Sequence, residues 1–586
     1  MEKWVVSAKR ADFKEIARRF GIDQVTARLI RNRDIIGDSA IEEYLNGSLL
    51  SLHDPYLMRD MEKAVRILGE KIDGQKKIRI IGDYDIDGIM ATYILMQGII
   101  RCGGDVDYDL PDRILDGYGL NQNLIDLAYD EGVDTILTCD NGISAIEQID
   151  YARKLGMTVV VTDHHEFKKI CTDGEESIIL PGADAVLNPH HPECPYPYKN
   201  LCGAAIAYKL VTALYSAMDI PEEESRELIE YAGFATVGDI MDLTGENRIL
   251  VREGLLQLNN TDNLGLQALI RVNKLAQDEI SSYHIGFVLG PCLNAGGRLD
   301  TAKKSLELLL AQSEAEATEL AEELLMLNEK RKEMTVQGYE QAVELIEQGD
   351  MKNDKVLVVY LPECHESLAG IIAGRIRERY YRPTFVLTDG EKSVKGSGRS
   401  IETYNMFAEM QKCDDLFLNY GGHPMAAGCS LKKENICLLR QRLNEQTRLT
   451  QEDMTEKIVI DVPMPVDYIT EGLIQELEYL EPFGKANTKP VFAEKNLKIL
   501  GIRLLGKSMR AARLKIQNEA GKVMDALYFG DMAYFRNYLE EKFGKNQTER
   551  CYQNRENDVT LSVTYYPRIN EWNGKREIQI VVQHYK

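Results

Sequence analysis

At 586 residues the chain is longer than one hydrophobic core supports, so several domains are expected. Composition is that of a globular protein, no stretch is apolar enough to span a bilayer, and the start MEKWVVSAKR lacks the apolar core of a secretory signal, which together point to the cytoplasm. The formal charge of −23 argues against a uniformly basic nucleic-acid binder, and eleven scattered cysteines with no CxxC pair argue against a disulfide framework or a zinc finger.

Residues 1–51 place Ile16, Phe20, Val25, Leu29 and Ile30 at helical spacing, which predicts a helical extension packed on the domain that follows. From 52 to 263 the strand-like runs IRIIG, VDYDLP, TILTCD, TVVVTD and AVLNP alternate with helical patterns, as in an α/β domain with a parallel, doubly wound sheet. Residues 264–348 turn mostly helical. There Leu320, Leu324, Leu327 and Met334 are interrupted by Arg331, which suits a connecting helix between lobes better than a coiled coil. A second α/β segment, 349–450, carries KVLVVYL, a helix from Leu368 to Tyr380, PTFVLTD and the glycine-rich NYGGHPMAAG. The last segment, 451–586, has a helix from Ile469 to Leu480 and then many short strand-like runs, which predicts a small barrel or sandwich.

The chemistry concentrates where strands end. IRII runs into Asp83, Asp85 and Asp87 and then Gly88, TILTC ends in Asp140, and TVVVT ends in Asp163-His164-His165. Ligands of open α/β sheets bind at the carboxyl ends of strands, so these groups are expected to face one crevice. Three acids within five residues repel one another unless water screens them or a cation sits between them. A solvated acidic turn is the plain alternative for the first cluster. Histidines at a third strand end tip the balance to a metal site, and an oxygen-rich set with one imidazole suits Mn²⁺ or Mg²⁺ better than zinc. Asp239, in GFATVGDIMDL, is a further candidate.

These motifs, Gly82-Asp83-Tyr84-Asp85-Ile86-Asp87-Gly88, Asp140-Asn141-Gly142, Asp163-His164-His165 and Thr236-Val237-Gly238-Asp239, resemble in order the four motifs of the DHH phosphoesterase superfamily. Several further stretches are similar to its single-strand-specific 5′→3′ exonuclease branch. They are Pro111-Asp112-Arg113 with Gly117-Tyr118-Gly119-Leu120, the run from Gly290 to Arg298, Ser397-Gly398-Arg399-Ser400, Gly421-Gly422-His423, and Glu481-Pro482-Phe483-Gly484 with Asn487 and Pro490. The chain departs from that branch at Ile81, Cys292 and Cys364, where histidine, arginine and tryptophan are usual.

The resemblance implies a DHH lobe and a DHHA1 lobe joined by a long helix, with a C-terminal OB-like β-barrel, acting as a two-metal phosphodiesterase on Mn²⁺ or Mg²⁺. It implies Asp83 on one ion, Asp85, His164 and Asp239 on the other, and Asp140 bridging. Two such cations about 3.5–4 Å apart can activate a water and neutralise the leaving oxygen. Asp87 and Asp163 would orient the ligands, and His165 would donate to the scissile phosphate or leaving oxygen. Arg113, Asn294 and Arg298 would hold phosphate oxygens, and Arg399, Ser400, Gly421, Gly422 and His423 would form a pocket for the terminal 5′ phosphate. A surface ion pair for each arginine and an ordinary tight turn for Gly-Gly are the competing readings.

One local charge reversal stands out in the acidic chain: Lys485, Lys489, Lys495, Lys498, Arg503, Lys507, Arg510, Arg513 and Lys515 face a single acid, Glu494, between 485 and 516. An OB-like barrel would use such a run to bind single strands. The implied partners are single-stranded DNA with a 5′ end, a single-strand-binding protein and a helicase, with no membrane, and one two-lobed clamp needs no second copy. Two other readings use the same residues: a phosphodiesterase of short oligonucleotides or cyclic dinucleotides, and a non-catalytic strand-binding scaffold.

Overall fold

The five β-branched runs between Ile78 and Leu187 form one all-parallel sheet, ordered Val106–Asp109, Ile78–Ile81, Thr135–Cys139, Thr158–Thr162 and Ala185–Leu187. Every residue of Ile78–Ile81 and of Thr135–Cys139 is buried, as expected where helices cover both faces. On one face Leu124, Ile125, Ile149 and Ala152 of helices Gln122–Asp130 and Ile146–Lys154 pack against Ile81, Ile136, Val159 and Val161. Helices Ile86–Arg101 and Gly203–Ala217 are apolar almost all round and are internal. Numbered along the chain, the strands run 2-1-3-4-5, so the order reverses between Ile78–Ile81 and Thr135–Cys139. Such a switch point opens a crevice at the carboxyl ends of those two strands.

The computed structural model describes residues 2–113, 117, 119–172, 175–506, 510–572 and 574–586, which divide into two units, Ser51–Glu456 and Glu2–Leu50 with Lys457–Lys586. Tyr118 and Lys507 lie outside the described residues. In the first unit the sheet is followed by helices up to Lys303–Leu310 and by the 35-residue helix Glu314–Gln348. The chain then forms a second sheet, ordered Phe417–His423, Ala426–Leu431, Val394–Arg399, Thr384–Asp389 and Leu357–Tyr360, in which only the last pair is parallel.

In the second unit the strands Phe492–Leu505, Ala511–Gln517, Val523–Phe529, Lys575–Tyr585 and Thr560–Trp572 are bonded in that order, and the last returns to the first to close a five-stranded barrel. Closure removes the exposed strand edges an open sheet would leave. The expected opening helices form, and the cover for their apolar stripe is the barrel. Leu29, Ile30, Ile41 and Tyr44 join the barrel's own core with Phe492, Leu497 and Tyr565. Strand Glu2–Val6 pairs with Glu456–Ile460. An apolar stripe declares that it will be covered, not by which partner.

Candidate metal centre and strand-binding residues

Asp85 caps helix Ile86–Arg101, its Oδ1 accepting from the backbone N–H groups of Asp87 (3.0 Å) and Gly88 (3.3 Å). Only glycine fits at 88, because a Cβ there would lie 2.5 Å from the Asp83 backbone. The tight crossing holds Asp83 and Asp85 side by side at the strand end. Asp140 leaves the neighbouring strand with φ +59°, a left-handed conformation that turns its carboxylate toward them. Gly203 packs under it, since a Cβ there would stand 2.7 Å from Asp140 Cβ. His164 Nε2 then lies 3.1 Å from Asp140 Oδ1, 3.6 Å from Asp87 Oδ2 and 3.8 Å from Asp239 Oδ2. Asp239 ends helix Ile229–Gly238, and Ile240 after it has φ +57°, a strained backbone for a β-branched residue.

Two further carboxylates are tied to backbone donors. Asp87 accepts from the N–H groups of Gly203 (2.5 Å) and Ala204 (2.8 Å), fastening the start of helix Gly203–Ala217 to the centre. Asp163 Oδ2 accepts from Ile143 N (2.9 Å), and its Oδ1 accepts from the backbone of His164 (2.8 Å) and His165 (3.1 Å) and from His165 Nδ1 (2.8 Å). One carboxylate thus fixes the His165 imidazole and the backbone that carries both histidines.

The electrostatics call for a cation. Burial, then the charge of Asp85, pushes Asp83 well above the usual carboxylate range, and burial followed by Asp87, Asp85 and Asp83 does the same to Asp140. Asp85 is raised by burial and Asp87. Burial also presses on Asp163, but its hydrogen bond and attraction to His165 hold it below its ordinary value. Burial lowers His164, whereas for His165 the Asp163 partner overcomes burial and raises it to about 9. Asp83, 2% exposed, keeps its Oδ1 buried with no hydrogen-bond partner among the described residues. Ligand atoms cluster as Asp83–Asp85–Asp140, Asp140–His164–His165 and Asp87–His164–Asp239, each set within 4.8 Å. Orphaned oxygen, mutual repulsion and an oxygen-rich donor set all fit hard divalent cations. Asp85, which the resemblance puts with His164, stands here with Asp83 and Asp140.

Guanidinium groups surround this crevice. Arg113 lies 4.8 Å over the Tyr84 ring. Arg298 Nη1 donates to Ser367 O (2.8 Å), and burial with Arg113 and Arg331 nearby lowers its pKa to about 10. Asn294 Oδ1 accepts from Ile86 N (3.1 Å), so this amide also braces the helix that carries Asp85. In the second sheet, Arg399 faces Ala426 across one strand pair and His423 faces Ala426 across the next; Gly398, Ala427 and Gly422 form the adjacent row. Arg399 and Gly421-Gly422-His423 therefore share one sheet end. A Cβ on Gly370 would come 2.8 Å from Arg399 Nη2, so glycine keeps that guanidinium open. Ser400 is buried, with its hydroxyl donated to Tyr404 O (2.6 Å).

Two arginines missed in the sequence reading belong here. Arg331 of the long helix and Arg375 of helix Ala369–Tyr380 are half-buried, and neither has an ion pair with a carboxylate among the described residues. Arg331 Nε is held by Asn328 Oδ1 (3.0 Å), and Asn328 Nδ2 donates to the Cys292 thiol (3.2 Å). The signal was present: a cation in an otherwise apolar helix stripe.

The cationic run of the barrel is divided. Arg503 and Arg513 are directly opposed on neighbouring strands, with Arg510 at the start of the hairpin's second arm. Arg513 pairs with Asp525. Lys495 and Lys498 lie toward the other end of the first strand, Lys489 stands 4.0 Å over the Tyr566 ring, and Lys485 precedes the barrel.

Comparison with known proteins agrees with this organisation. Residues 77–238 match the family described as DHH family, N-terminal domain, residues 353–448 the DHHA1 domain, and residues 460–584 the RecJ OB domain. The single-stranded-DNA-specific exonuclease RecJ of Bacillus subtilis strain 168 is 32% identical, over 99% of this chain and 70% of its own length. The Escherichia coli K12 protein of the same name is 32% identical, over 95% of both chains. The crystal structure of RecJ from Thermus thermophilus in complex with Mn²⁺ superposes with a TM-score of 0.81 at 26% identity, covering 100% of this chain and 79% of that one. The shared DHH, DHHA1 and OB domains and the 32% identity to these relatives over 95% or more of this chain establish that the chain belongs to the RecJ family.

Proposed function

We propose that the chain is a single-stranded-DNA-specific exonuclease that hydrolyses phosphodiester bonds from the 5′ end with two divalent cations, Mn²⁺ or Mg²⁺. The observation that carries this reading is the meeting of Asp83, Asp85, Asp140, His164 and Asp239 at one switch point, from separate segments of the chain. Asp83, Asp85 and Asp140 would hold one cation and His164 and Asp239 the other. Asp140, which belongs to two of the ligand clusters, would be shared between them. When bound, such cations polarise the phosphate and make an attacking water acidic enough to react at neutral pH.

The protein's own groups do the rest. Asp163 locks His165 through Nδ1 and leaves the other ring nitrogen to donate to the scissile phosphate or the leaving oxygen. Arg298, Arg331 and Arg375 present cationic, partly desolvated donors to phosphate oxygens, where a planar guanidinium binds two at once. Arg399 and the Gly421-Gly422-His423 end of the second sheet would receive the terminal 5′ phosphate, which makes cleavage begin at an end. The outer face with Arg503, Arg510 and Arg513 would grip longer strands, favouring these over dinucleotides. Work in DNA repair and recombination as a cytoplasmic monomer, beside a single-strand-binding protein and a helicase, completes the reading; among the described residues no helix is long and apolar enough to cross a membrane.

The test compares 5′-labelled and 3′-labelled single strands and duplex with Mn²⁺, Mg²⁺ or chelator. Metal-dependent release of nucleotides from the 5′ end of single strands alone is expected. Digestion from the 3′ end, or equal attack on duplex, overturns the proposal.

A further inference from the structure

Along the second half of helix Ile86–Arg101, about 12–24 Å along its axis from Asp85 at 1.5 Å per residue, lies a cavity of about 540 Å³. That volume is typical of small-molecule sites. The carboxyl ends of helices Ile86–Arg101, Gly245–Leu258 and Lys303–Leu310 border it. Such ends carry partial negative charge and carbonyls in need of donors. The amino end of helix Leu264–Val272 also opens here, but it is already capped by Asn263 Oδ1, which accepts from Leu266 N (2.9 Å).

The charged lining is one-sided. Glu224, Glu227, Glu230 and Asp262 face the single cation Arg101, which is engaged by Glu224 (Nε to Oε2 2.5 Å, Nη2 to Oε1 2.9 Å). Glu230 is 4% exposed. Its Oε1 accepts from Thr261 Oγ1 (3.0 Å), the Tyr231 hydroxyl lies close to the carboxylate, and its buried Oε2 has no well-formed hydrogen bond among the described residues. A buried acceptor without a donor is costly, and the last torsion of a glutamate is soft, so a small turn offers Oε2 to a donor in the cavity. The Tyr93 and Tyr231 rings, 4.4 Å apart, wall the same space.

These features select the ligand. Phosphates and nucleotides are repelled. The carboxylates do not converge into any of the clusters that could hold a single metal ion. Separated acids with Leu228, Leu264 and Leu309 between them match ammonium groups spaced along an alkyl chain. We propose that this cavity is a binding site for an aliphatic polyamine, with Glu230 as its buried anchor.

Titration calorimetry and thermal unfolding of the full chain with spermidine, against Mg²⁺ and NaCl at matched ionic strength, test the proposal. One saturable site and a rise in the unfolding temperature are expected with spermidine and not with either salt. Glu230→Gln, which keeps shape and the acceptor for Thr261, should weaken binding at least tenfold. Glu227→Gln should weaken it several-fold, and Asp140→Asn should leave it intact. Absence of saturable binding, an equal response to Mg²⁺, loss of binding in Asp140→Asn, or undiminished affinity in Glu230→Gln each overturns it. None of these readouts depends on what the metal centre cleaves.

Discussion

His164 Nε2 and Asp140 Oδ1 come within 3.1 Å of each other, although they leave different strands of the sheet. With both side chains largely desolvated, the contact joins a base to an acid whose own neighbours are mostly acids. Asp140→Asn should reduce cleavage by at least about 10³-fold, the scale on which metal sites lose their chemistry. It should also make the metal-free protein more resistant to heat, because one repelling charge is gone. Added Mn²⁺ should stabilise the native chain by about 2.7 kcal/mol at a hundredfold excess over Kd, read as a rise in unfolding temperature, and leave the variant nearly unmoved. A variant that both cleaves and responds to Mn²⁺ like the native chain refutes the shared-ligand role.

Asp163 belongs to none of the ligand clusters, yet its four accepted hydrogen bonds hold the His165 imidazole and the backbone of both histidines. Asp163→Asn should lower activity about 10–100-fold, the usual penalty for a lost supporting carboxylate at a metal site. Mn²⁺ affinity, read by the same thermal shift, should fall with it. Unchanged affinity and rate would mean that the histidines are positioned by the backbone alone.

Much of this was legible before any coordinates. The central strands could be read because parallel strands buried on both faces must be runs rich in Ile, Val and Leu, and because Asp83, Asp140 and Asp163 stand just where such runs stop. The edge strand Val106–Asp109, by contrast, is only part-buried and carries two acids of its own. Other features depend on tertiary choices that no local pattern encodes. Ser400 reads as a phosphate donor in Ser397-Gly398-Arg399-Ser400, yet its hydroxyl is taken by Tyr404 O. Lys489 reads as part of a basic groove and sits on an aromatic ring. Asn487 reads as a family marker; the structure shows it as a fastener, donating to Leu480 O and Pro482 O (2.8 Å each) and accepting from Tyr44 and Arg33 of the opening helices.

Glu230 gives the catalytic unit a pH-dependent stability. Burial raises its pKa to about 7 from the ordinary 4.5. The folded state therefore holds a proton that the unfolded state releases near pH 4.5, so the contribution is fully present below that pH and is lost as pH rises through about 7. A shift of this size corresponds to about 3 kcal/mol at most. Glu230→Gln should gain stability over the native chain at pH 8 and little at pH 4.5, followed by denaturant midpoints. An equal gain at both values would contradict the assignment.

Arg331 tests whether the connecting helix takes part in binding. Burial, then the charge of Arg375, lowers its pKa, and Arg331 in turn lowers that of Arg298. Cations held together without a carboxylate are expected where an anion is to be received. Arg331→Gln should raise KM for single strands about fivefold to tenfold with a smaller change in kcat, and should flatten the dependence of binding on salt. An unaltered KM and salt slope would leave Arg331 as a structural residue only.

The division into units also dictates how the chain can be shortened. The sequence alone suggests cutting near 455 to remove the barrel. Such a cut leaves Leu29, Ile30, Ile41 and Tyr44, which belong to the barrel's core, without their cover. Each large apolar side chain returned to water costs about 1.5–3 kcal/mol, and an exposed stripe of them invites association. Residues 51–456 keep both five-stranded sheets and the long helix together in one unit. The 51–456 fragment should be monodisperse, bind Mn²⁺ and cleave very short oligonucleotides near the native rate, while losing affinity for long strands. The 1–456 fragment should aggregate or expose its first 50 residues to limited proteolysis. If 1–456 proves as well behaved as 51–456, the opening helices are not held by the barrel, and if 51–456 retains full affinity for long strands, the barrel is not what grips them.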